Sequence, residues 1–249
     1  MKRVLVLALA SLGCSEDPSF IARVYDPGRR QIQVEIDYMT GMEPYVDNVG
    51  EKPIWEFYRN NVSALLHGAK TLAVPMSLAS MQEIPAQKKN YSVEDIYAVS
   101  RTYRNEPTDD GTTLSIYIVF LDGYLLEDGV VNNGVIGLSI GNTAVIAVFK
   151  PLIQQAQGGD TVRTFIEQSV VIHETGHTLG LVNNGIDLTS EHQDEANGAH
   201  CKNSKCVMYY LNEGAKDLLE FTQNGFTIDE VLFGDECLQD ASAALGLSS

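Results

Sequence analysis

The stretch His173-Glu174-Thr175-Gly176-His177 carries the residue types and spacing that most clearly specify a chemistry. On a helix, residues four apart project from one face one turn apart, so both imidazoles can reach a single ion. Zinc takes imidazole nitrogen at ~2.0–2.1 Å, and the intervening glutamate can then touch a water activated by that ion without being a ligand. The competing interpretation is two ordinary histidines on a helix face beside an unrelated glutamate. Context favours the metal, because the pentapeptide follows the apolar run Val170-Val171-Ile172 inside a helix predicted from Asp160 to Leu181. Serine hydrolysis has no support, since Ser139 and the other serines lack the nucleophile-elbow motif.

The elements that must position these residues are read from periodicity. Gln31 to Thr40 alternates Ile32, Val34, Ile36 and Tyr38 with polar neighbours, which predicts a half-buried strand. Pro53 to His67 has helical spacing, with Pro53 in the first turn and Gly68 as the stop. Thr71 to Met76, Thr112 to Leu121 and Asn142 to Phe149 are β-prone. Ser92 to Tyr103 is a predicted helix with a serine N-cap and Glu94-Asp95 in its first turn. The pattern is irregular from Asn183 to Lys205, and one more helix is expected within Ile228 to Leu245. Strands alternating with helices, then a central helix and a loop-rich last third, predict an α+β domain over residues 30–249. Its upper part would span 30–182 and its lower part 183–249.

Composition sets outer bounds. Of 249 residues, 44% are apolar and 20% charged, and 33 acidic against 17 basic side chains give a formal charge of −16. That balance repels nucleic acid and anionic lipid headgroups. Lys2-Arg3, the apolar run Val4 to Leu12 and Gly13-Cys14 resemble a bacterial lipoprotein signal peptide. On this expectation residues 1–13 are removed, Cys14 is lipidated, and residues 14–29 are a tether to the membrane. The protein is then exported and anchored on the periplasmic face or cell surface. No other apolar run reaches the ~18 residues that span a bilayer, so lipid would be its only membrane contact. In an exported protein Cys201 and Cys206, with four residues between them, are the natural disulfide, and Cys237 is left single and buried. In a cytosolic protein Cys201, Cys206, Cys237 and a histidine could instead hold a second, structural zinc.

Gly180 lies three residues after His177, and this spacing resembles the metzincin clan of zinc peptidases. The physical sense of that glycine is a helix stop at positive φ that swings the chain back toward the metal. Where most metzincins carry the third ligand, three residues further on, this chain has Asn183, a poor zinc ligand. The run His200-Cys201-(four residues)-Cys206-Val207-Met208 is similar to that of archaemetzincins, in which the histidine is the third ligand. About seventeen extra residues separate glycine from histidine here, and leishmanolysin-like metzincins also carry an insertion at this point. The stretch from Val170 to Tyr210 further resembles bacterial lipoprotein-type membrane metalloproteases, through Leu181-Val182-Asn183-Asn184-Gly185 and Cys206-Val207-Met208-Tyr209-Tyr210.

The resemblance implies a metzincin-like fold: a twisted mixed β-sheet, two backing helices including the metal helix, and a loop-rich lower part ending in a helix. It implies one catalytic zinc on His173, His177 and His200. His192 is the second choice of third ligand, and Glu191 or Glu195, in a thermolysin-like arrangement, the last. Met208 would form the turn beneath the metal, and Tyr210 would stabilise charge on the scissile carbonyl or simply pack. Glu174 would be the general base of peptide hydrolysis, and the protein or peptide substrate would lie along an edge strand near Gly137 to Thr143. A monomer is expected. The alternative from another class is a non-catalytic surface lipoprotein that binds a partner through a protease-like scaffold, and an intact Glu174 disfavours it.

Overall fold

The computed structural model describes residues 19–247 apart from 88, 142 and 211–226. In chain order its elements are α1 (Phe20–Val24), β1 (Gln31–Met39), β2 (Asn48–Val49), β3 (Lys52–Pro53), α2 (Trp55–Leu65), β4 (Thr71–Ala73), β5 (Gln82–Ile84), β6 (Asn90–Tyr91) and α3 (Val93–Tyr103). There follow β7 (Thr113–Leu121), β8 (Tyr124–Glu127), β9 (Val130–Asn132), β10 (Gly137–Ser139), β11 (Val145–Phe149), α4 (Lys150–Gln155), α5 (Gly159–Thr178) and α6 (Asp235–Ala244). The expected signal peptide, the lipidated Cys14 and the first part of the tether lie outside the described residues.

The centre of the fold is β7, Thr-Leu-Ser-Ile-Tyr-Ile-Val-Phe-Leu, buried from its second residue onward. A strand apolar on both faces belongs inside a sheet covered on both sides. It pairs in parallel with β1 over Gln31 to Tyr38 and with β11 over Val145 to Phe149. The principal sheet runs β10-β11-β7-β1-β4, with β5 also parallel to β1, and β10 antiparallel to β11 at one edge. The result is a mixed α+β arrangement.

Helix α5 lies against this sheet, and every residue from Thr164 to Thr178 is buried. It packs on α2, where Phe57 meets Phe165 edge to face at 5.7 Å and the Tyr58 hydroxyl lies 3.1 Å from Thr175 Oγ1. A buried ion pair between Lys150 and Glu167 ties α4 to α5, and Glu167 also accepts the Tyr45 backbone N–H at 2.7 Å. Helix α5 stops as the glycine spacing predicts. Gly180 adopts φ 84°, its N–H donates to the His177 carbonyl, and the Leu181 N–H donates to the Gly176 carbonyl. Those two bonds are the pair that satisfies a helix C-terminus when its last residue is followed by a left-handed glycine.

Two local expectations change. The segment expected to be tether is folded from residue 19: Ser19 caps α1, and Phe20, Ile21 and Val24 are buried in the core. Here the apolar residues of a single helical turn find a groove, a signal too short for periodicity to show. The strand expected over Thr71 to Met76 ends at Ala73, two residues before Pro75, whose ring nitrogen cannot donate to a ladder.

The sheet holds one unusual carboxyl. Asp37 is fully buried on β1 and its Oδ2 accepts the Tyr117 hydroxyl at 2.6 Å. Burial pushes its pKa from 3.8 up to about 7, against the lowering effect of that hydrogen bond. Between roughly pH 4 and 7 the native chain therefore keeps a proton that the unfolded chain has lost. Stability should fall as pH rises through that window, by at most roughly 1.4 kcal/mol per pH unit, and level off above it. Asp37→Asn should flatten this slope when urea midpoints are compared at about pH 5 and about pH 8. An equal slope in the variant would remove Asp37 as its cause.

Candidate metal centre

The two histidines of α5 project from its buried face, and their Nε2 atoms lie 3.0 Å apart. His200 arrives from the loop beyond the helix. Its ring is 5.3 Å from that of His173 and 5.0 Å from that of His177, and one nitrogen of each lies within 4.8 Å of the others. Side-chain tautomers follow from the surroundings. His173 Nδ1 is 2.7 Å from the Val207 carbonyl and His200 Nδ1 is 2.7 Å from the Asn197 carbonyl. A carbonyl can only accept, so each Nδ1 carries the hydrogen, which leaves the Nε2 lone pair for a metal. Burial, and then the neighbouring His173 and His200, push the His177 pKa well below its usual value and keep that ring neutral. Three neutral imidazoles with converging lone pairs are a donor set compatible with one Zn2+.

The last third of the chain presents His200 with little regular structure. The Asp194 N–H donates to the His200 carbonyl at 2.7 Å, and a single bridge joins Gln193 to Cys201. A 3-10 turn at Glu195–Asn197 supplies the carbonyl that orients the ring. Cys201 and Met208 are tied by a backbone bond at 2.8 Å, and a turn closed by the Tyr209 N–H on the Cys206 carbonyl carries Met208. That turn also provides the Val207 carbonyl that holds His173.

Met208 is fully buried against α5 at Gly176, where an added Cβ would lie 2.4 Å from its sulfur. Only glycine fits there, a requirement invisible in a motif whose third and fourth positions are variable. Gly137, which the sequence marks only as the start of an edge strand, is a second glycine with no room for a Cβ. It opens edge strand β10, and a Cβ on it would sit 2.5 Å from Val170 Cγ1 and 2.9 Å from Glu174 Cγ. The buried Glu174 carboxylate therefore lies directly beside β10.

The remaining expected residues sort cleanly. Asn183 is exposed, adopts φ 61°, and donates from Nδ2 to Gln193 Oε1, so it belongs to the loop. Glu191 and Glu195 are exposed and outside the histidine group. Tyr210 is half-buried, its ring 4.9 Å from that of Tyr209. His192 does not approach the three histidines. It is buried elsewhere, with Nε2 2.6 Å from Asp240 Oδ2 and Nδ1 3.4 Å from Cys201 Sγ. The disulfide expected between Cys201 and Cys206 is not formed. All three described cysteines are buried thiols, and Cys206 Sγ lies 3.6 Å from Cys237 Sγ on α6. Sequence spacing made Cys206 and Cys201 partners, whereas the fold brings a third thiol to the same place.

No protein-family model matches the chain, and no curated protein does. Among solved structures it is similar to a zinc-dependent peptidase from Methanocorpusculum labreanum (strain Z), at 15% identity and a TM-score of 0.46. The match covers 84% of this chain and 99% of that one. A likeness that distant transfers no function.

Proposed function

We propose that the protein is a zinc-dependent endopeptidase of metzincin-like type, with His173, His177 and His200 as the metal ligands. The observation that carries this reading is the convergence of His200 on the helical pair, with the Glu174 carboxylate next to an edge strand. Three protein ligands leave a tetrahedral ion one position for water or substrate, which distinguishes a catalytic from a structural site. Bound there, zinc would supply Lewis acidity to a water and to the scissile carbonyl. Glu174 takes the proton of the attacking water and returns it to the leaving amine. Its burial beside Gly137 removes competing solvent and limits the directions the carboxylate can face. An extended peptide adds to the open side of β10 by backbone hydrogen bonds, which brings its carbonyl toward that carboxylate. The Tyr210 hydroxyl donates to the developing oxyanion. The left-handed Gly180 and the Met208 turn support the metzincin-like subtype. Export and anchoring through Cys14 belong to the same proposal. A single domain with no helix, among the described residues, long and apolar enough to cross a membrane is compatible with it.

The test is metal removal. Casein cleavage should disappear on dialysis against a chelator and return on addition of one equivalent of zinc. Cleavage that survives complete zinc removal, or its absence from zinc-loaded protein, would overturn the reading and favour a binding scaffold.

A further inference from the structure

Three arginines meet at one cavity well apart in sequence from the histidines. Arg23 in the last turn of α1, Arg101 in the last turn of α3 and Arg104 just beyond it line a space of about 300 Å³ at the start of β11. No acidic side chain lines it, although acidic residues outnumber basic ones 33 to 17 in the chain. We propose that this cavity binds a phosphate group, either as the free ion or on a small molecule.

Each guanidinium keeps donors that no acceptor among the described residues takes up. The Arg23 Nε–H is buried without a partner, and its Nη1 is 3.6 Å from Asp109, too far for a hydrogen bond. Arg101 lies over the Tyr97 ring, with Cζ 5.2 Å from the centroid, and has no ion pair among the described residues. That contact fixes its position and leaves its N–H edge available. Arg104 donates from Nε and Nη2 to the Glu106 and Ser115 carbonyls, which hold it without neutralising it. The carboxylates whose charge acts on these arginines are already engaged. Asp109 accepts Arg29 at 2.9 and 3.2 Å and the Gly111 N–H at 2.7 Å. Glu35, which acts on Arg104 from outside the cavity, accepts the Asn105 and Glu106 N–H groups at 2.7 and 2.9 Å. A cation in a last turn suits the helix dipole, which accounts for Arg23 and Arg101 singly. It does not account for their convergence, because Arg101 and Arg104, neighbours at the end of α3, repel each other. An anion between them removes that repulsion.

Charge and oxygen count select phosphate over carboxylate. A phosphate group offers three strong acceptor oxygens and about −1.5 to −2 charges at pH 7. A carboxylate offers two oxygens and one charge, and a single guanidinium fork already fills it. The volume equals about ten molecules of liquid water, more than a bare ion needs, so there is room for the molecule that carries the phosphate. Its position gives the site a structural effect. Phosphate bridging Arg23 to Arg101 ties α1 to α3, and α1 is the element whose Ile21 packs against Gly180 at the exit of α5. None of this depends on the peptidase reading.

The test is calorimetric titration of the zinc-loaded, full-length protein with glycerol 3-phosphate, inorganic phosphate and acetate. One phosphate group should bind per chain, and acetate should bind at least about 10-fold more weakly. Arg101→Gln and Arg23→Gln should each weaken phosphate binding by about 10-fold or more, while Lys52→Gln, on a distant exposed ion pair, leaves it unchanged. Arg101 is exposed and makes no hydrogen bond among the described residues, so its replacement leaves the fold intact if Arg23→Gln does not. Tighter binding of glycerol 3-phosphate than of phosphate assigns the cavity to a phosphorylated molecule, and the reverse order assigns it to the free ion. Absence of saturable binding below about 10 mM overturns the proposal. So does acetate binding as tightly as phosphate, or phosphate binding unchanged in both arginine variants. Binding that vanishes with zinc removal yet survives both arginine changes places the phosphate on the metal and also overturns it. Failure of the peptidase reading looks different: casein cleavage does not follow zinc, and the phosphate titrations stay as they are.

Discussion

Replacing Glu174 by glutamine is expected to cut peptide hydrolysis by about 10²–10⁴-fold while zinc content stays at the wild-type level. Glutamine is the informative replacement because the side chain is buried against Val170 and Gly137. Alanine would empty that space and let β10 settle inward, confusing loss of a base with loss of shape. Glutamine keeps the volume and cannot accept a proton, so the loss should fall on kcat. The measurement is a steady-state profile on a fluorogenic peptide beside elemental analysis of the same sample. Turnover within about twofold of wild type would exclude Glu174 as the base, and zinc lost together with activity would make it a ligand or a packing residue.

The second large effect is at His200. Removing an outer partner of a metal ligand typically weakens binding 10–100-fold, and removing a ligand should cost more. His200→Ala should therefore raise the zinc dissociation constant of the three-histidine site by more than about 100-fold, read by competition with a chromophoric chelator. His192→Ala tests the assignment from the other side, since His192 sits with Asp240 and the thiols. It should leave that site's zinc in place. The opposite pattern, with zinc lost in His192→Ala and kept in His200→Ala, would exchange the two roles. Asn183 is no substitute for His200, because it is exposed, turned into the left-handed region and bonded to Gln193.

The helical half of this site was legible in the chain because its signals are local. A four-residue histidine spacing, an apolar run and a terminating glycine all lie within one helix, and α5 spans Gly159–Thr178 where the pattern placed a helix from Asp160. The long strand β1 was readable because nine residues suffice to display an alternation, and β7 because its run of β-prone apolar residues is unbroken. Strands of two to four residues, such as β5, β6 and β10, do not show one. His200 could be chosen only by resemblance, because nothing in local spacing says which later residue folds back. The cysteines show the limit most clearly. Four residues between Cys201 and Cys206 argue for a disulfide, yet the third thiol comes from a helix more than thirty residues on. The steric constraint on Gly176 and Gly137 was not legible, because its source is the approach of a distant side chain, Met208 or Glu174, to a backbone with no room for a Cβ.

The short helix α1 has a mechanical consequence. Ile21 is wedged against the turn that ends α5: a Cβ on Gly180 would lie 2.9 Å from its Cγ2, and one on Gly185 2.5 Å from its Cδ1. The Tyr25 hydroxyl adds a bond of 2.9 Å to the Leu179 carbonyl. Tension applied to the chain ahead of Ser19, by an anchor, a fusion partner or a surface linkage, is therefore passed through Ile21 and Tyr25 to the exit of α5. A slack spacer in front of Ser19 would isolate the histidines from that load, and a taut one would couple them to whatever holds the other end.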